Sequence, residues 1–284
     1  MPLPDGRALE LGPRTAIMGI LNLTPDSFAD GGLWLDPARA VDAALQMEAE
    51  GADIIDVGGE STRPGADPLP AEVELARVLP VLRALAPRTR LPISIDTYKA
   101  DVARAALDHG ASIVNDISAL RYDADLAGVV AGRGAAVVLM HHRGRSREMY
   151  RDATYRDVAA DVTGELAARV DEAVRLGVAR DQILVDPGLG FAKRAEQTYQ
   201  ALAGLPQLTA LDRPLLVGPS RKSFLEVALG ACAPAEREWG TAAAVTAAVL
   251  LGAHVVRVHG VREMVQVARV ADLIRSQPVV RGCA

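Results

Sequence analysis

At 284 residues, half of them hydrophobic, the chain can bury a large core and is long enough for two small domains or one α/β barrel. A formal net charge of −5, with acidic and basic residues interspersed, excludes a basic face for nucleic acid, so an anionic substrate has to be met by local cations. No window approaches the roughly 20 apolar residues of a membrane span, no basic-then-apolar leader opens the chain, and Cys232 and Cys283 lie far apart as free thiols; a cytoplasmic protein without membrane or nucleic-acid partners is expected.

Short Val- and Ile-rich runs alternate along the chain with longer Ala, Leu and Arg stretches of helical period, the pattern of repeated βα units with a parallel sheet. The first run, 16–23, passes into "NLTPDSFADGG", where acceptors crowd beside flexible backbone as in a loop that handles a ligand. A helix over 37–50 and a strand over 53–58 follow, then a loop with Glu60, Ser61, Thr62 and Arg63. Helices over 71–85, 100–109, 123–132, 155–176, 197–208 and 239–251 then alternate with strands over 92–96, 112–117, 135–140, 183–186, 214–218 and 254–259, and a helix over 261–276 closes the series. Gly51, Gly110, Gly177 and Gly252 each stand just past a helix, where a left-handed residue is wanted. Eight strands with helices between predict an α/β fold, a (β/α)8 TIM barrel in a single domain spanning 1–284, with its core over about 14–276 and short tails. A doubly wound open sheet is the weaker alternative, because no glycine-rich nucleotide turn follows the first strand.

In such a barrel the strand ends build the active site. Asp96, Asn115 and Asp186 can hydrogen-bond in the plane of a flat amino-pyrimidinone ring, a carboxylate pairing two adjacent N–H donors. Lys222, Arg257 and His259 come from the last two strand ends, where such barrels hold phosphate. Arg257 and His259 lie two apart and share one side of the strand. Ser223, near the first turn of a following helix, can hold a carboxylate. Asn22 and Asp30 are oxygen donors of the kind Mg²⁺ uses when a diphosphate and water complete its shell. His141 and His142 are adjacent and read as pocket rim, not as a metal site.

The motifs "MGILNLTPDSFADGG", "DVGGESTRPGA", "SIDTYKADVARAAL", "VNDISAL", "DPGLGFAK", "GPSRKSFL" and "RVH", in order over roughly 16–275, resemble dihydropteroate synthase. The resemblance implies condensation of 6-hydroxymethyl-7,8-dihydropterin diphosphate with p-aminobenzoate to give 7,8-dihydropteroate and pyrophosphate, with Mg²⁺ as cofactor. It implies a pterin site of Asp96, Asn115, Ile117, Met140, Asp186 and Lys222, and a diphosphate and metal site of Asn22, Asp30, Arg257 and His259. It also implies a p-aminobenzoate site of Phe28, Thr62, Arg63, Pro64, Phe191, Lys222 and Ser223, where sulfonamides compete. Asp96, Lys222, Arg257 and His259 would carry the chemistry, and a homodimer is expected, with the helix over 239–251 as candidate interface. Two other readings compete: a methyltetrahydrofolate-binding methyltransferase, which needs no diphosphate site, and a non-catalytic or altered-substrate pterin-binding paralogue. Two departures from the family pattern stand out. "MHHRG" replaces Met-His-Met-Gln-Gly and brings Arg143 near the rim. "RVHGV" replaces "RVHDV", so Gly260 stands where an Asp would cap the last helix, with Glu263 at the capping-box position.

Overall fold

The computed structural model describes residues 1–24, 36–61, 65–145, 149–151 and 153–278. The apolar runs form β1 (Ala16–Asn22), β2 (Ile54–Gly58), β3 (Ile93–Asp96), β4 (Ala111–Asp116), β5 (Ala136–Met140), β6 (Ile183–Asp186), β7 (Leu216–Val217) and β8 (Val255–Val258). All pair in parallel in the order β6-β5-β4-β3-β2-β1-β8-β7, and a single bridge from Val185 to Leu215 closes the ring. β7 is shorter than its apolar run because Pro214 and Pro219 flank it without N–H donors.

The helices are α1 (Pro37–Glu50), α2 (Ala71–Leu85), α3 (Ala100–Leu107), α4 (Leu126–Arg133), α5 (Val158–Arg175), α6 (Ala195–Ala203), α7 (Leu205–Leu208), α8 (Glu226–Leu229), α9 (Glu238–Leu250) and α10 (Val261–Arg275). Gly51, Gly110, Gly177 and Gly252 all take the positive φ expected of them. Several element ends differ from the sequence expectation, and three differences have a local cause or consequence. α5 begins at Val158, because Asp157 caps it by accepting from Ala160 N at 3.0 Å. The helix expected over 197–208 is two, since Pro206 cannot continue the hydrogen-bond ladder of α6. The capping box expected of Glu263 does not form, and no side chain caps α10 behind Gly260.

The ladder registers sort the strand residues into layers. Met18 pairs with Ile54, Ile113 with Ala136, Val138 with Leu184, and Val255 with both Ala16 and Leu216. These residues form one buried cluster inside the barrel, which Leu3 and Leu9 of the N-terminal segment join from the end where the strands begin. A larger cluster joins the outward strand faces to the helices. Two residues beyond this cluster the inward positions of β2, β4, β6 and β8 turn polar, with Asp56, Asn115, Asp186 and Arg257, and β1 and β3 end on Asn22 and Asp96.

Candidate active site

The polar layer is organised by Arg257 of β8. Its Nε donates to Asp56 Oδ2 at 2.6 Å and its Nη2 to Asp96 Oδ2 at 2.8 Å, while Asn115 Nδ2 donates to the same Asp56 oxygen at 3.1 Å. Strands β2, β3, β4 and β8 are thereby tied across the mouth of the barrel. Asp56 is completely buried, and Oδ1 of both Asp56 and Asp96 has no hydrogen-bond partner among the described residues. Burial pushes the Asp96 carboxyl up to about 7, against the pull of the Arg257 guanidinium. Two buried carboxylate oxygens without partners at the mouth are acceptors in want of donors.

The loop after β6 supplies the facing wall. Asp186 Oδ1 accepts from Gly188 N at 2.7 Å, and burial raises the Asp186 carboxyl above its ordinary range although Lys222 pulls it down. Gly188 is required here: it has φ +65°, and a Cβ on it would fall 2.0 Å from His141 O. Lys222 Nζ donates to Leu189 O at 2.5 Å and stands 4.7 Å from the centre of the Phe191 ring. Burial holds Lys222 down to about 8, with Asp186 opposing.

At the other end, Ser220 Oγ accepts from His259 N at 3.2 Å and lies 2.9 Å from His259 Nδ1. A cavity of about 470 Å³ opens over these groups, lined by Asn22, Asp96, Phe191, Lys222, Ser223, Arg257 and His259 among others. Seven of the residues expected at the site thus share one cavity. Asn115, Ile117, Met140 and Asp186 are buried at the ends of β4, β5 and β6. Phe28, Asp30, Thr62, Arg63 and Pro64 lie outside the described residues.

Two histidines sit differently from expectation. His141 and His142 are not at the rim but buried, and burial pushes both rings down to about 4. His141 Nε2 faces Glu165 Oε2 at 3.0 Å and its Nδ1 accepts from Lys193 Nζ at 2.8 Å. Arg143 is accommodated by an ion pair with Glu165 and by stacking on Tyr155 at 3.9 Å. The sequence reading missed Asp56. Its signal was a lone carboxylate within "IIDVG", on the same strand side as Ile54 and Gly58.

Residues 18–259 match the family model described as pterin binding enzyme. A dihydropteroate synthase of Synechocystis is 47% identical over 96% of this chain and 95% of its own length. Among solved structures, a Yersinia pestis dihydropteroate synthase in complex with a sulfonamide drug has a TM-score of 0.91 at 39% identity, covering 95% of this chain and 97% of that one. A Xanthomonas albilineans dihydropteroate synthase with 4-aminobenzoic acid has a TM-score of 0.86 at 42% identity, covering 93% and 94%.

Proposed function

The chain belongs to the pterin-binding enzyme family, among the dihydropteroate synthases, which are transferases of folate synthesis, and from that membership we propose that it joins 6-hydroxymethyl-7,8-dihydropterin diphosphate to p-aminobenzoate. The observation that carries the reading is the Arg257 bridge between Asp56 and Asp96, set beside Lys222 and His259 in one cavity. A carboxylate-lined slot next to a cationic shelf suits a substrate with a hydrogen-bonding ring at one end and a diphosphate at the other.

In this reading the ring enters with its N–H donors toward Asp96 and Asp186 and its acceptors toward Asn115 and Lys222, Ile117 and Met140 forming the walls. Donors arriving at the unpaired Asp96 Oδ1 favour the ionised carboxylate, and that charge stabilises the cation developing on the pterin methylene as its C–O bond breaks. Arg257 and His259 take up the negative charge growing on the pyrophosphate. The aniline nitrogen then forms the new C–N bond and releases its proton to solvent, so no protein nucleophile is needed. Phe191, over which Lys222 sits, offers a face for the aniline ring, and Ser223 a hydroxyl for its carboxylate, with Phe28, Thr62, Arg63 and Pro64 completing that pocket. Among the described residues no group of three or more His, Cys, Asp or Glu gathers to hold a metal. A magnesium ion that rests mainly on diphosphate oxygens and water fits the donors at hand, with Asn22 of the cavity wall and Asp30 as its protein ligands. When bound, it would neutralise leaving-group charge.

We also read the protein as a homodimer: α9 packs against α10, which presents Val270, Leu273 and Ile274 to solvent. The test of the function is direct. The purified chain is mixed with pterin diphosphate, Mg²⁺ and p-aminobenzoate, and dihydropteroate and pyrophosphate should form in equal amounts. Tight pterin binding without turnover would instead favour the non-catalytic paralogue.

A further inference from the structure

The loop after β7 holds Arg221 at φ +57°, a left-handed conformation that strains a residue bearing a side chain. Arg221 directly precedes Lys222 and Ser223. Three contacts hold it, from Arg237 just before α9 and from Glu238 and Thr241 in its first turn. Its N–H donates to Thr241 Oγ1 at 3.0 Å, its carbonyl accepts from Arg237 Nη1 at 2.9 Å, and its Nε donates to Glu238 Oε2 at 2.8 Å.

The other carboxylate oxygen of Glu238, Oε1, occupies the space beside position 260. It is buried and has no hydrogen-bond partner among the described residues. A Cβ built on Gly260 would lie 2.3 Å from that oxygen, so the end of the Glu238 side chain would have to shift for a side chain to stand there. Gly260 is the N-cap of α10 and brings no side chain to the positive end of that helix. Negative charge there comes from two carboxylates, Glu263 in the first turn of α10 itself and Glu238 of α9.

We propose that Glu238 is a positioning residue: its carboxylate locks Arg221 in the left-handed conformation that aims Lys222 and Ser223 into the cavity, and it fills the space a side chain at 260 would need. A carboxylate at 238 and one at 260 are then alternatives for a single volume, which accounts for glycine in "RVHGV". The kinetic part rests on the reading of Lys222 and Ser223 as substrate contacts; the conformational part does not.

The test uses Glu238→Ala, Gly260→Asp and their combination in the full chain, with melting curves to check folding. Each single change should raise KM for p-aminobenzoate at least about tenfold and leave kcat less affected. Amide hydrogen exchange at Arg221 should speed up about tenfold in each. The double variant should return both quantities to within about threefold of wild type, a non-additivity expected only if the two positions share one space. Glu238→Gln, which keeps an acceptor for Arg221, should exchange like wild type. A Gly260→Asp chain that folds only alongside Glu238→Ala also supports the proposal. Unchanged exchange at Arg221 in Glu238→Ala would overturn the clamp whether or not the chain turns over. A double variant no better than the worse single would overturn the shared volume, whereas wild type without turnover counts against the proposed function alone.

Discussion

The two ends of the barrel interior are built by the same strands and differ in one inward step. β6 offers Leu184 and then Asp186, β4 Ile113 and then Asn115, β8 Val255 and then Arg257, each pair separated by about 6–7 Å. Below, Leu184, Ile113 and Val255 join a dry cluster sealed by Leu3 and Leu9. Above, buried carboxylates wait with oxygens unpaired, although burying an unsatisfied polar atom disfavours the folded state. The lower layer therefore holds the ring together, and the upper layer carries a cost that donors from a bound ligand would relieve. Substitutions in the two layers should separate stability from activity.

The largest effect is expected in the upper layer. Asp96→Asn keeps the shape but removes the charge facing the reacting methylene, and kcat/KM for the pterin diphosphate should fall about 10²–10³-fold in a steady-state assay. The same change should raise the melting temperature above pH 7. The wild-type carboxyl titrates near 7 when folded against 3.8 as its ordinary value, so from about pH 4 to 7 the unfolded chain is ionised while the folded one keeps its proton, and stability falls as pH rises. The amide does not incur this loss, and the gap between the two melting temperatures should widen over that window. Equal melting temperatures at pH 4 and pH 8 would refute the account. The opposite outcome is expected below: Leu184→Ala should cost about 2–5 kcal/mol by urea denaturation while leaving kcat/KM within about threefold.

The contrast between layers was half legible in the sequence. Polar residues ending apolar runs announced the mouth, and Asp96, Lys222, Arg257 and His259 do line one cavity. Asp56 was missed because it sits inside its strand, and its partner Arg257 is 201 residues away; only the closed ring brings β2 and β8 to opposite flanks of β1. The burial of His141 was equally hidden, since it depends on Lys193 from the next βα unit. The missing cap at Gly260 was visible as a departure, but its occupant, Glu238, lies on another helix. Local pattern names elements and their ends; which charges meet is set by register and closure.

A smaller effect on the same contrast is the pH dependence of the upper layer. Asp96 needs to be ionised and titrates near 7, and Lys222 needs its proton and titrates near 8. kcat/KM for the pterin diphosphate should thus rise up to about tenfold per pH unit below 7 and decline above 8. In Asp96→Asn the acid limb should vanish; a limb that survives belongs to another group.

The smallest effect probes the seal of the lower layer. Leu9 is buried against the inner cluster, and its segment is held by mutual bonds between Met1 and Leu9, the chain amine donating to Leu9 O at 3.0 Å and Leu9 N to Met1 O at 2.9 Å. Unlike Leu184, it sits on a terminal segment joined to the barrel by few bonds, which can shift into the space a smaller side chain leaves. Leu9→Ala should therefore cost about 2 kcal/mol or less, at or below the bottom of the range for such truncations. Neither KM nor kcat should move, because the full depth of the apolar layer lies between this seal and the Arg257 bridge. A changed KM for either substrate with unchanged stability would show that the lower layer does more than support the upper one.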